Sequence, residues 1–200
     1  MTSGHDSLRL VLASRSPQRD ALLRQLGIPF RVCVSGHDET IHEDGPAATV
    51  EENARGKAAA VGARVHLAAG ELVLGVDTVV VVEGETLGKA ADEAEAAAYL
   101  RRLSGRTHEV YSGLCLRRGA DERCGHEITE VRFREIGAGV LASYLASDEW
   151  RERAGAYAIQ GLGSSFIEEV RGDYFNVVGL PVRLLIDELA SLGVEPLSWL

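Results

Sequence analysis

Asp77 is the residue whose setting most demands a chemical explanation. It sits between the apolar runs Val73-Leu74-Gly75-Val76 and Val79-Val80-Val81-Val82. A carboxylate inside a β-branched strand costs free energy unless it is paired or put to use. Its uses there are ligation of magnesium or general-base action toward water; a surface acid at a strand end is the plain alternative. Ser14-Arg15-Ser16-Pro17-Gln18-Arg19 sets two hydroxyls and two guanidiniums where an apolar run gives way to a helix. Free N–H groups and partial positive charge at a helix start attract anions. The fork of Arg19 matches phosphate. The rival reading is a capped helix with solvated arginines, and no GxxxxGK[ST] loop occurs in the chain.

Only two of the 21 basic residues are lysine, Lys57 and Lys89. Lys57 follows Glu51-Glu52-Asn53 on a helical stretch and shares a face with Asn53. Lys89 follows Gly88, where a glycine allows close backbone approach and the ammonium can reach a phosphate. In a chain that otherwise uses arginine, a retained lysine marks a need for a compact ammonium; solvated partners on a helix face are the alternative. Asp38-Glu39, with His37 and His42 nearby, offers carboxylates to a hard divalent cation. A solvated acidic loop is the rival there, and zinc on the two histidines is the weaker metal reading. Gln160 ends an apolar stretch before Gly161-Leu162-Gly163, where its amide can read a base or brace a loop. Phe166 takes the last place of GxGxxG, so a dinucleotide-binding reading fails. No HExxH, GxSxG or HRD signature is present.

These residues need elements to hold them. Leu8 to Ala13 reads as a buried strand, followed by a helix through Asp20 to Leu26 with Ser16 as N-cap, Pro17 at the first helical position and Gly27 at C′. Phe30 to Val34 reads as a strand. Ala47 to Ala69 is an alanine-rich helix introduced by Pro46. Leu72 to Val82 reads as one long strand or two halves kinked at Asp77. Asp92 to Leu103 is an amphipathic helix. Glu109 to Leu116 and Cys124 to Arg134 form a hairpin turning near Gly119-Ala120-Asp121. Val140 to Ala146 is helical. Ala156 to Ile159 and Phe166 to Val170 read as strands around the glycine turn, and Pro181 to Leu192 as the last helix. Helices and strands alternate with no repeat and no linker. The class is α/β with a mixed sheet, because the hairpin brings antiparallel pairs.

Composition bounds the function. The 200 residues form one domain's worth of chain, 46% hydrophobic and 26% charged, as in a globular protein. A net charge of −9 argues against a broad nucleic-acid-binding face. No apolar run is long enough to span a membrane, and Met1 to Asp6 lack the apolar core of a signal peptide. Cys33, Cys115 and Cys124 show no CxxC spacing, so three separate thiols in a reducing cytoplasm are expected.

In order along the chain, these stretches resemble the Maf family of nucleoside triphosphate pyrophosphatases, once called septum formation inhibitors. Leu10-Val11-Leu12-Ala13-Ser14-Arg15-Ser16-Pro17-Gln18-Arg19 resembles its opening motif. Glu52-Asn53-Ala54-Arg55-Gly56-Lys57-Ala58 resembles its helix motif, and Gly75-Val76-Asp77-Thr78-Val79-Val80 its central acid motif. Gly88-Lys89 resembles GKP with Ala90 for the proline. Leu103-Ser104-Gly105-Arg106-Thr107-His108 through Gly113 resembles LSG-x-x-H-x-V-x-TG, with Ser112 for threonine. Ala154-Gly155-Ala156-Tyr157-Ala158-Ile159-Gln160-Gly161 and Asn176-Val177-Val178-Gly179-Leu180-Pro181 complete the set.

The resemblance implies one Maf-like domain over residues 1–200, with residues 1–7 a flexible tail. It implies an elongated α/β fold with a central mixed sheet flanked by helices and two lobes around a cleft, shared with inosine triphosphate pyrophosphatases. It implies hydrolysis of a nucleoside triphosphate to the monophosphate and pyrophosphate in the cytoplasm, with magnesium, manganese or cobalt. Asp77 is then the catalytic acid, as proton acceptor or metal ligand, and Glu39 the second metal-binding carboxylate. Arg19, Lys57 and Lys89, with Ser14 and Ser16, hold phosphates. Thr78 and Gln160 match the pattern of members acting on dTTP and UTP. Gln18 matches neither that pattern nor that of members acting on 7-methyl-GTP. A pyrimidine or modified pyrimidine nucleotide is the expected substrate; a 7-methyl-GTP-type substrate and a nucleotide-binding inhibitor of septum formation are the alternatives. Neither nucleic acid nor membrane is an expected partner, and a homodimer is implied.

Overall fold

A computed structural model of the chain describes residues 8–194; the tail expected at residues 1–7 lies outside them. The elements are β1 (Arg9–Leu12), α1 (Pro17–Gln25), β2 (Phe30–Val32), α2 (Pro46–Gly62), β3 (Glu71–Val82), β4 (Glu85–Leu87), α3 (Glu93–Leu103), β5 (Thr107–Arg118), β6 (Asp121–Phe133), α4 (Ala138–Leu145), a 3₁₀ turn (Leu162–Phe166), β7 (Ile167–Arg171), α5 (Tyr174–Val178) and α6 (Val182–Ser191). The class is α/β, and the described strands form one seven-stranded sheet in the order β2-β1-β3-β5-β6-β7, with β4 on β3. The sheet is mixed: β1 runs parallel to β2 and β3, while β3–β4 and β6–β7 are antiparallel.

The chain folds into two compact units, each assembled from separated stretches. One takes in the described residues of Met1–Asp77, Gly113–His126 and Gly179–Leu200; the other is Thr78–Ser112 with Glu127–Val178. In the first, α2 packs by its small residues. Ala54, Ala58 and Val61 meet Val11, Ala13, Val73 and Cys115 in a fully buried cluster. Two glycines let strands touch the helix backbone. A Cβ on Gly75 would lie 2.0 Å from the Ala54 carbonyl oxygen, and one on Gly113 would lie 2.3 Å from that of Val50. No side chain fits such gaps. In the second unit α3 presents Ala96, Ala97, Leu100 and Leu103 to a core with Val80, Phe133, Trp150 and Phe166. Its start is capped reciprocally: Asp92 accepts from the Glu95 N–H, and the Glu95 carboxylate accepts from the Ala91 N–H.

Three expectations change. Helix α2 ends at Gly62 and does not reach Ala69. Ala156 to Ile159 is not a strand, because Gly155 and Ala156 are both left-handed (φ 65° and 60°), which an extended ladder does not tolerate. The cysteines are not three separate thiols: Cys115 on β5 and Cys124 on β6 are joined in a disulfide, and Cys33 is free. Strand pairing brings Cα atoms nine residues apart in sequence to 4.1 Å, which a search for CxxC spacing does not detect. The cysteines therefore no longer argue for a reducing compartment. Among the described residues no helix is long and apolar enough to cross a membrane.

Candidate active site

The first unit gathers Ser14, Arg19, Glu39, Lys57 and Asp77. Gly75 lets β3 lie against α2, and two residues on Asp77 reaches the face that carries Asn53 and Lys57. Asp77 is 4% exposed. Its Oδ2 accepts from Asn53 Nδ2 at 2.9 Å, and its Oδ1 lies 2.7 Å from Lys57 Nζ. Burial works against this carboxylate. The Lys57 charge and hydrogen bond, the Asn53 amide and the Arg19 charge outweigh it and hold the carboxyl below the ordinary aspartate value.

Glu39 is delivered by a loop stitched to α2. Asn53 donates from Nδ2 to the Thr40 carbonyl and accepts from the Thr40 N–H, while Thr49 Oγ1 accepts from the His42 N–H. The result sets Glu39 Oε1 2.7 Å from Lys57 Nζ. Lys57 therefore bridges two carboxylates, and it also donates to the Val76 carbonyl. Sequence reasoning paired Asn53 with Lys57 on one face but gave Asn53 no role. Its spacing from Lys57 was the available signal; the loop it ties down was not legible.

Arg19 is 8% exposed. Its Nε donates to the Gly179 carbonyl and its Nη1 to Ser14 Oγ, which fixes the guanidinium plane. Burial lowers its pKa, opposed by the charges of Asp77 and Glu39. Ser14 Oγ also accepts from the Ser16 N–H, so its own proton is left to donate to an anion. Ser16 makes no side-chain cap on α1; its hydroxyl donates instead to Gln18 Oε1. The helix start keeps first-turn N–H groups uncapped by a side chain, as an anion site requires.

Lys89, Thr78 and Gln160 belong to the second unit. Lys89 is exposed, lies 3.4 Å from Glu152 and pairs in a β-bridge with Ala154. The Gly155 N–H donates to the Gly88 carbonyl, and a Cβ on Gly155 would meet Val80 at 2.8 Å. Gln160 is exposed on a segment held at several points. The buried Tyr157 hydroxyl lies 2.9 Å from His108 Nε2, Tyr144 accepts from the Ala158 N–H, and Glu149 accepts from the N–H groups of Leu162 and Gly163. Thr78 Oγ1 lies 2.8 Å from Ser112 Oγ.

A hard divalent cation fits the first cluster. Its two carboxylates converge on one ammonium, and all their donor atoms are oxygens, the set magnesium and manganese prefer. His42 is engaged with Thr40 Oγ1, and the His37 ring packs over Gly56. Among the described residues, the one grouping of three or more metal-type ligands is Cys115, Glu122 and Cys124. It makes a poor cation site, since its sulfurs are bonded to each other and Glu122 is paired with Arg55 and Arg117.

Residues 9–192 match the family model described as Maf-like protein. A protein of Symbiobacterium thermophilum named dTTP/UTP pyrophosphatase is 48% identical over 186 residues, covering 92% of this chain and 94% of its own. Proteins of the same name from Deinococcus radiodurans and Bacillus cereus are 46% and 40% identical, covering 94% and 96% of this chain and 94% of their own lengths.

Proposed function

The chain belongs to the Maf-like protein family, and from that membership we propose that it hydrolyses the pyrimidine nucleotides dTTP and UTP to the monophosphate and pyrophosphate. The cluster of buried Asp77 and Lys57 with the exposed Glu39 is the observation that carries this reading. It is chemically suited to water activation beside a polyanion, and it rests on side chains from three separate stretches of chain.

The charges within the cluster balance: Arg19 and Lys57 are cationic, Asp77 and Glu39 anionic. A triphosphate therefore needs added positive charge, and Asp77 and Glu39 are the residues that would hold a divalent cation. Such an ion would supply Lewis-acid neutralisation of phosphate charge. Asp77 is ionised and oriented by Asn53, so it can accept a proton from an attacking water. Arg19 is prealigned by Gly179 and Ser14, and an aligned donor pays little reorganisation when charge moves in the transition state. Ser14, the start of α1 and Lys89 add donors for phosphate oxygens. Thr78, Gln18 and Gln160 are the residues assigned to the base; the Gln18 amide, its oxygen engaged by Ser16, presents NH₂ as a donor.

The test is a panel of ordinary and modified nucleoside triphosphates assayed for pyrophosphate release with magnesium, manganese or cobalt. Pyrophosphate from dTTP and UTP in preference to purine nucleotides is the expected result. Release of orthophosphate, or binding without turnover of any nucleotide, would overturn the reading.

A further inference from the structure

Gly56 stands inside α2 among Ala54, Ala58, Ala59 and Ala60. After proline, glycine is the least favourable residue in a helix interior, and the backbone of Gly56 is not left-handed. What requires it is His37. A Cβ on Gly56 would lie 2.3 Å from His37 Cε1, 2.4 Å from Nε2 and 2.9 Å from Nδ1. The imidazole fills the notch that the missing side chain leaves. This contact belongs to a series along one side of the helix. Arg64 donates to the Val34 carbonyl, the His37 ring covers Gly56, Glu39 meets Lys57, Thr40 exchanges two hydrogen bonds with Asn53, and the His42 N–H donates to Thr49. Glu39 depends on this seating more than Asp77 does. Asp77 is held by burial and by Asn53, whereas the Glu39 side chain is 47% exposed.

We propose that His37 and Gly56 form a ring-in-notch lock that seats the Glu39 loop on α2, which makes His37 a positioning residue for that carboxylate. The inference rests on the reading of Glu39 as a residue that holds a divalent cation. The His37 main chain donates to Ser35 Oγ. Among the described residues nothing hydrogen-bonds its ring, so the ring is seated by shape. A methyl group at position 56 must expel it, because the helix backbone is the stiffer partner and the ring is the end of a side chain that can swing away. Two residues later in the loop, Glu39 then loses the anchor that fixes its approach to Lys57.

The test uses protein without nucleotide. Hydrogen exchange is read before metal is added, at the Thr40 and His42 N–H groups that donate to Asn53 and Thr49. Mn²⁺ affinity is then measured by titration. Gly56→Ala separates two readings of the glycine. A plain helix glycine predicts a higher thermal midpoint and a loop that behaves as in wild type. The lock predicts faster exchange at both amides and a Mn²⁺ Kd raised about tenfold, as for loss of a group that orients a metal ligand. His37→Ala should give the same two changes with the helix untouched, and it keeps the test open if the Gly56 variant folds poorly. His37→Phe retains a flat ring without nitrogens and should restore both readouts. Once His37 is alanine, adding Gly56→Ala should change little further. Wild-type exchange and Kd in Gly56→Ala overturn the lock. A phenylalanine variant as weak as the alanine one overturns it as well, since the imidazole nitrogens would then be what matters. A wild type that binds no Mn²⁺ overturns the positioning role together with the metal reading of Glu39. A wild type that binds Mn²⁺ yet turns over no nucleotide overturns the pyrophosphatase reading and leaves the lock standing.

Discussion

The ammonium of Lys57 stands 2.7 Å from Asp77 because a glycine two residues earlier lets β3 lie against the backbone of α2. The distance is a consequence of backbone packing, and Glu39 and Asn53 complete a cluster that only this approach makes possible.

Gly75→Ala tests that origin directly. The added methyl would lie at 2.0 Å from a carbonyl oxygen, and the nearest atoms it meets are all main chain, with no flexible side chain among them to yield. The strand must lift off the helix, at a cost of about 1–3 kcal/mol. Urea denaturation should show the lower midpoint, and pyrophosphate release should fall more than stability explains, because Asp77 moves away from Lys57.

Asp77→Asn removes the proton acceptor while nearly preserving shape. Lys57 keeps Glu39 as a counter-charge, so the circular dichroism spectrum should be that of wild type. The pyrophosphate assay should show a loss of at least about a hundredfold. In wild type the carboxyl is held below its ordinary value, so Asp77 is ionised wherever the protein is assayed near neutrality. An acid limb in the rate profile above about pH 5 must come from another group.

The two lysines should differ under the same substitution. Lys57 is 7% exposed at its side chain and touches two carboxylates and a carbonyl. An arginine has no room there, so Lys57→Arg should cost both stability and most of the activity. Lys89 is 45% exposed beside Glu152. Lys89→Arg should leave the unfolding midpoint unchanged and raise KM only.

His108 gives the fold an acid-side weakness. Burial lowers its pKa from 6.5 to about 3. Between those values the unfolded chain carries a proton that the folded chain does not, so stability falls as pH falls from 6.5. The slope approaches about 1.4 kcal/mol per pH unit. The Glu71 carboxyl is held at about 2 by its hydrogen bond with Arg31, and adds to the loss only below 4.5. Urea midpoints measured from pH 7 down to pH 5 isolate the histidine. His108→Gln should flatten the decline in that window, and an unchanged slope would show that His108 is not its source.

Much of the fold was legible from periodicity. The apolar run of β3, the amphipathic spacing of α3 and the turn at Gly119-Ala120 each express a local preference that no distant contact needs to correct. The short helix α5 escaped, because it is held by the buried Asn176 and not by any pattern of its own. The apolar residues Ala156 to Ile159 imitate a strand, but two left-handed residues and the Tyr157–His108 contact hold them in a loop.

The sequence by itself determined the α/β class, the chemical types available and, through its ordered motifs, the family. Asp77 was conspicuous because a lone acid in a valine run is costly wherever that run is buried. What tertiary structure alone decided was pairing and direction. Which cation answers Asp77, which loop Asn53 holds and which cysteines bond all depend on residues far apart in sequence meeting within hydrogen-bonding or bonding distance. Local propensity carries no information about such distances. They are set by how closely backbones can approach, and here two glycines and a small-residue helix make that approach close.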